Sequence, residues 1–202
     1  NSKAHIRFDN GAGRQAQSTT SVNDGEWHHI AGTYDRTTNT IKIYVDGVME
    51  QSTNTGTNAP TTSTEGVFIG RFSSLYSNNY IGSVDEAAIY NQALSQTEIR
   101  DWMCKKTTSS HPSYCNLVAY FRFDENTGTV LTDYAGGNNG TLTNSPIYEL
   151  SGAPVGDESV HAYTVTTGTP ALNYAGPNGD DMTASLTAGT ADAMHMYFVN
   201  DA

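Results

Sequence analysis

Lysine and arginine are scarce in this chain: 10 of them stand against 21 aspartates and glutamates in 202 residues, a net charge of −11. Neutralising phosphates takes clustered Lys and Arg, so this balance argues against nucleic acid or an anionic membrane as partner. It suits an extracellular protein, or one that binds divalent cations. Apolar runs are short as well. None approaches the ~18 residues that suggest a membrane span, so no membrane insertion is expected. No signal peptide is recognisable, which reads as a mature product or a piece of something longer. Charged residues make up only 15%, whereas Gly 19, Tyr 12 and abundant Thr suggest a sandwich rich in turns. The length allows one large β domain or two small ones.

Cysteine is nearly absent. Cys104 and Cys115 flank KKTTSSHPSY, and two readings stand. A disulfide would add about 2–3 kcal/mol by restricting the unfolded chain and would imply an oxidising compartment. Otherwise they are two unrelated buried thiols. Neither sits in a zinc-type spacing. Histidine is no richer in chemistry. His28 and His29 are adjacent, point to opposite faces of a strand and cannot chelate one metal together. His5, His111, His161 and His195 stand alone.

What the chain does have is organised around residues 25–50, GEWHHIAGTYDRTTNTIKIYVDGVME. Ile41, Ile43 and Val45 alternate with Lys42 and Tyr44, as a half-buried antiparallel strand requires. Asp46-Gly47 tolerates the positive φ of a two-residue hairpin turn, and Val48-Met49-Glu50 begins the return strand. The polar run 36–40 joins 29–34 to 41–45, so a β-meander is predicted. Strands are also predicted over 3–9 and at 67–70, and residues 15–21 read as a strand or loop. Long exposed loops are expected at 51–65 and 73–80. Ser95 with Glu98 forms a capping box, and Leu94 with Ile99 a hydrophobic staple, which predicts one helix over 95–103.

These blocks carry a resemblance. Trp27–Asp35, Ile43–Gly47, Phe68-Ile69-Gly70-Arg71 and Ile81–Asn91, with Ala93-Leu94-Ser95 after them, resemble the laminin-G-like (concanavalin-A-like) family of large secreted or surface bacterial proteins. The resemblance covers roughly residues 4–103. It implies an all-β fold, an antiparallel jelly-roll β-sandwich with one short closing helix, followed by a second β module. In the family several strands precede the GEWHHIAGTYD block; here only residues 1–24 do, so a domain lacking its first strands, or completed by another segment, is expected. Residues 117–143 resemble the first strand and loop of the same family. Either a second copy begins there, or 117–123 pairs with 82–90 and covers an open sheet edge. The organisation expected is 1–104, a disulfide-closed linker 105–116, a block 117–147 and a β-rich module 148–202, with strands at 161–166, 182–186 and 194–200.

The concanavalin-like sandwich also hosts laminarinase-type glycoside hydrolases, which carry Glu-x-Asp-x-x-Glu on one strand. No such run occurs here. Asp85-Glu86 and Asp124-Glu125 are adjacent pairs that split across two faces, unlike the facing carboxylates of glycosidic cleavage, so no enzyme is expected. Calcium is the more credible chemistry. Asp133–Gly140 (DYAGGNNG) offers hard oxygens on a glycine-bent loop, and the resemblance implies a structural calcium shared with Asp85 and Glu86; Asp133 and Asn138 would be loop ligands. An ordinary Asx-rich turn is the alternative. The function the resemblance implies is a non-catalytic extracellular or cell-surface module that recognises a glycan or a protein partner. Tyr76, Asn78, Asn79 and Tyr80 would meet the ligand, since aromatic faces suit sugar rings and amides suit hydroxyls. The alternative function is a structural repeat that self-associates by strand exchange.

Overall fold

The computed structural model of the chain describes residues 2–8, 13–57, 66–73, 76–156, 172–175 and 181–184. It divides into two compact units, Asn1–Val155 and Gly156–Ala202. Every strand pair among the described residues is antiparallel, in keeping with an all-β sandwich.

In the first unit β1 (Lys3–Phe8) and β2 (Arg14–Ser21) form a hairpin. β3 (Ile30–Asp35), β4 (Thr40–Val45) and β5 (Val48–Asn54) form the predicted meander in that order. Asp46 and Gly47 take φ 49° and 74°, the two positive values a tight hairpin turn demands. Ile41 and Ile43, 0% and 1% exposed, pack with Ala16 of β2, and Ala4, Ile6 and Tyr34 close around them. Gly32, opposite Ile43, lets the layers meet: a Cβ there would lie 2.8 Å from Ile6 Cδ1. β2 is tied to β5 by side chains. Glu50 accepts the Thr19 and Thr20 amides at 2.6 and 3.0 Å, and Gln51 Oε1 accepts the Gln17 amide. The polar sequence over 51–54, expected as loop, is therefore strand; 58–65 lie outside the described residues.

Two further expectations change. Residues 66–70 are not a buried strand: Val67, Phe68 and Ile69 are exposed, and the strand begins only at β6 (Arg71–Ser73). β6 pairs with β7 (Tyr76–Asn79), so much of the expected 73–80 loop is a hairpin. Both are short polar runs whose strand character comes from pairing with each other rather than from apolar alternation.

After β8 (Ala87–Tyr90) comes α1 (Gln96–Trp102), capped as predicted: Ser95 Oγ accepts the Glu98 amide at 3.2 Å and Glu98 Oε2 accepts the Ser95 amide at 2.8 Å. Residues 105–116 are folded onto this helix. His111, 3% exposed, lies against the Tyr90 and Trp102 rings at 5.2 and 4.7 Å, and its Nδ1 accepts the Ser113 amide at 3.0 Å. An accepting Nδ1 leaves the proton on Nε2, and burial holds the imidazole pKa down. Ring stacking thus closes the segment where a disulfide was expected. Cys104 and Cys115 are free, exposed thiols, a correction to the predicted bridge. Iodoacetamide applied without reductant should alkylate both, whereas a bridged chain would take no label; mass spectrometry of the intact chain reads the difference.

A 3₁₀ turn at Tyr114–Asn116 leads into β9 (Leu117–Phe121), which pairs with β8 in the register Ala87↔Phe121, Ala88↔Tyr120, Ile89↔Ala119. Residues 117–121 of that segment are therefore a strand of the same unit, paired with 87–90 inside their own chain. β10 (Val130–Leu131) and β11 (Gly140–Thr141) follow, and the 151–153 stretch passes over Trp27, with a Gly152 Cβ only 3.0 Å from its Nε1. The second unit contains a hairpin, β12 (Leu172–Ala175) with β13 (Asp181–Ala184). β13 overlaps the predicted 182–186 strand; 161–166 and 194–200 lie outside the described residues. Among the described residues no helix is long and apolar enough to cross a membrane.

Candidate functional site

A half-buried strand would leave Lys42 and Tyr44 on its open face. Tyr44 is 3% exposed instead. The register sets Asp35 beside Thr40, Thr33 beside Lys42 and Tyr44 beside Met49. This second face is overlaid by residues 93–98, and between the two lies a cleft of about 380 Å³. Thr33, Asp35, Lys42, Tyr44 and Met49 line it from the sheet, and Ala93, Leu94, Ser95, Gln96 and Glu98 from the helix start. Its size falls in the range of small-ligand sites.

The two carboxylates of the cleft are committed locally. Asp35 accepts the Thr37 amide at 2.8 Å and the Thr38 hydroxyl at 2.9 Å, which hold its pKa below the ordinary value. Glu98 is held low by the Ser113 hydroxyl first and by the Ser95 hydroxyl and amide after it. The Lys42 ammonium makes no hydrogen bond or ion pair among the described residues. Gln96 donates from Nε2 to the Gly47 carbonyl at 3.2 Å, which pins the helix start to the β4–β5 turn. The cleft therefore offers one cation without a partner among the described residues and three hydroxyl-bearing residues, Thr33, Ser95 and Tyr44, the last of which is also its aromatic wall. That chemistry suits a polyhydroxylated ligand.

The residues singled out from sequence are distributed differently. Tyr76, Asn78 and Asn79 lie on β7, and Tyr80 follows it, 59% exposed, with its amide on the Gly70 carbonyl at 2.8 Å. Tyr80 is not among the residues that line the cleft. Asp133 accepts four backbone amides: Tyr120 and Ala135 on Oδ1, both at 2.9 Å, and Gly136 and Asn138 on Oδ2, at 3.1 and 2.9 Å. A carboxylate offers about four acceptor sites, and all four are used. Asn138 reaches back to the Gly136 carbonyl at 3.4 Å. Asp85 accepts the Ser151 hydroxyl at 2.5 Å, and Glu86 accepts the Tyr120 phenol. Asp133 and Glu86 thus hold opposite ends of one residue, the amide and the phenol tip of Tyr120. Among the described residues no group of three or more His, Cys, Asp or Glu side chains is arranged to hold a metal. The cleft itself was missed. Its signal was present in halves, as the Thr33/Asp35 and Lys42/Tyr44 alternation and the Ser95/Glu98 cap, with nothing local to join them.

Of two solved structures that this chain resembles, the first shares its fold. A Bacteroides ovatus protein described as a candidate carbohydrate-binding protein superposes with a TM-score of 0.52 at 22% identity over 67% of this chain. An S-layer domain-containing protein from Clostridium thermocellum gives a TM-score of 0.36 at 29% identity over 45% of this chain. The chain spans 41% and 45% of the length of these two proteins. No curated protein matches it. The sequence of the β1–α1 segment matches the family described as the Concanavalin A-like lectin/glucanases superfamily over residues 1–100. Residues 1–100 therefore belong to the concanavalin A-like lectin/glucanases superfamily.

Proposed function

We propose that the Asn1–Val155 unit is a non-catalytic glycan-binding module whose ligand lies in the cleft between the β3–β5 meander and the start of α1. The observation that carries this reading is the Lys42 side chain, without a hydrogen-bond or ion-pair partner among the described residues, lining a cleft with Tyr44, Thr33 and Gln96. The candidate carbohydrate-binding description of the Bacteroides ovatus protein points the same way. Lys42 against Asp35 and Glu98 leaves the cleft net negative, within a chain of charge −11. A neutral saccharide is therefore favoured over a uronate or a sulfated one.

A hydrolytic role fits the site poorly. Glycosidic cleavage needs one carboxylic acid whose pKa is raised so that it can donate its proton. Both carboxylates of the cleft are held low. Among the described residues Glu86 has a raised pKa, but it is bonded to Tyr120 instead. Calcium is not required by this reading, since the Asp133 oxygens already have donors. Strand exchange between copies loses its motive because β9 is paired with β8 of its own chain. The reading puts the module outside the cell or on its surface, where glycans are met; the free thiols remove the disulfide from that case.

A glycan array with neutral and acidic saccharides, run with calcium and again with chelator, tests it. Neutral hits that survive chelation are expected. Lys42→Ala should weaken them about tenfold, the loss of one charge-assisted hydrogen bond of about 1.5 kcal/mol. Equal binding by Lys42→Ala, with loss on Tyr80→Ala, would move the site to the β6–β7 hairpin. Silence from a folded chain would end the glycan reading.

A further inference from the structure

The segment before β3 carries a side-chain arrangement that the cleft alone does not explain. His28 lies between two carboxylates: Nδ1 is 2.8 Å from Asp46 Oδ2, and Nε2 is 3.2 Å from both oxygens of Asp24. An ionised carboxylate only accepts hydrogen bonds, and a neutral imidazole has one N–H and one lone pair. Both contacts are bonds only when both ring nitrogens carry protons. The geometry is that of an imidazolium bridge, and the imidazole is largely shielded, with 15% of the side chain exposed.

The bridge ends on the turn that anchors the cleft. Asp46 Oδ1 accepts the His29 amide at 2.9 Å, and the Asp46 amide donates to the His29 carbonyl at 2.9 Å. Gly47 packs against Arg100 of α1, where an added Cβ would lie 3.1 Å away, and its carbonyl holds Gln96. Tyr44 and Met49, cross-strand partners, flank the turn and line the cleft. One turn therefore joins the bridge, the helix start and two cleft walls.

We propose that His28 is a proton-controlled latch on the glycan cleft: charged, it clamps the β4–β5 turn through Asp46 and Asp24 and keeps the cleft formed; neutral, it releases the turn. This rests on the cleft being the glycan site. The charged groups around the latch are Asp24 and Glu26 on its own turn, Asp46 on the hairpin, and Arg100 on the helix beyond Gly47. Hydrogen bonding to Asp46 raises the His28 pKa. A pKa raised in the folded state means that the clamp is complete below the ordinary histidine value of 6.5 and is lost as pH rises through the raised value. Burial lowers the pKa of His29 and of His111, the opposite direction to His28, so their titration does not follow the latch.

The test combines nitrogen-15 NMR of the imidazoles with binding of a neutral β-glucan oligosaccharide between pH 6 and 9. Expected are two N–H groups on His28 at pH 6, and Gly47 and Gln96 amide shifts that move with the His28 midpoint. Affinity should fall about threefold across the window, in line with a partly exposed ion pair. It should stay flat in His28→Gln, which cancels every other titrating group. Asp24→Asn should lower the midpoint. A neutral His28 at pH 6, or Gly47 and Gln96 shifts indifferent to its midpoint, would overturn the latch whether or not a glycan binds. Shifts that follow the midpoint without any saccharide binding would uphold the coupling and remove the glycan reading. Binding with a flat profile in the wild-type chain would keep the glycan reading and remove the latch.

Discussion

Asp133→Ala is expected to destabilise the Asn1–Val155 unit by about 2–4 kcal/mol, with no recovery in millimolar calcium. Asp133 is 6% exposed and receives amides from two places at once. Ala135, Gly136 and Asn138 belong to its own loop, while the Tyr120 amide belongs to the free edge of β9. The Tyr134 amide returns to the Tyr120 carbonyl at 2.8 Å, so the loop satisfies both backbone groups of that edge. Alanine strands the buried Tyr120 amide, at a cost of about 1–3 kcal/mol, and unties the Ala135, Gly136 and Asn138 amides of the more exposed loop. Asp133→Asn should be nearly as harmful, because its NH₂ would face amide donors. Burial pushes the Asp133 pKa up, but the four amides outweigh it and hold the carboxyl low. A lowered carboxylate pKa gives stability that is present above the ordinary Asp value, about 3.9, and lost as pH falls through the folded one. Urea unfolding followed by tryptophan fluorescence, with and without calcium, measures this. Full restoration by calcium would return Asp133 to the role of metal ligand.

Tyr120→Phe is expected to cost about 2 kcal/mol, although only one oxygen is removed. Tyr120 is 1% exposed; its phenol donates to Glu86 and accepts the Thr107 amide at 3.0 Å. Phenylalanine leaves a half-buried carboxyl and an amide without partners. The companion variant Glu86→Gln separates hydrogen bonding from charge. Burial raises the Glu86 pKa. Its contribution is therefore complete below the ordinary Glu value, about 4.3, and declines as pH rises through the folded one. Glutamine keeps an acceptor for Tyr120 and carries no charge to bury. Glu86→Gln should raise the melting temperature relative to wild type at pH 8, with the gap closing towards pH 4. A gap that is constant with pH would mean that Glu86 is not the group responsible.

Calcium and disulfide were both inferred from residues able to do more than one thing. The Asp133–Gly140 stretch has the composition of a calcium loop and equally that of an amide-binding turn. In the structure the β9 edge meets this carboxylate with the Tyr120 amide. Cys104 and Cys115 are separated by a plausible loop length. The 105–116 segment, however, closes through His111 between Tyr90 and Trp102, contacts that reach outside the segment.

The sequence by itself determined the meander, its Asp46-Gly47 turn and the Ser95–Glu98 cap. Each rests on steric and hydrogen-bonding preferences acting over two to four residues, so each can be read wherever it occurs. It also carried the superfamily of residues 1–100. Tertiary structure alone decided that Tyr44 faces a cleft instead of solvent. It also paired residues 117–121 with 87–90 and gave Asp133 and Glu86 the two ends of Tyr120. These are meetings of segments far apart in the chain. Their free energy comes from burying surfaces and satisfying polar groups that no short stretch holds in full.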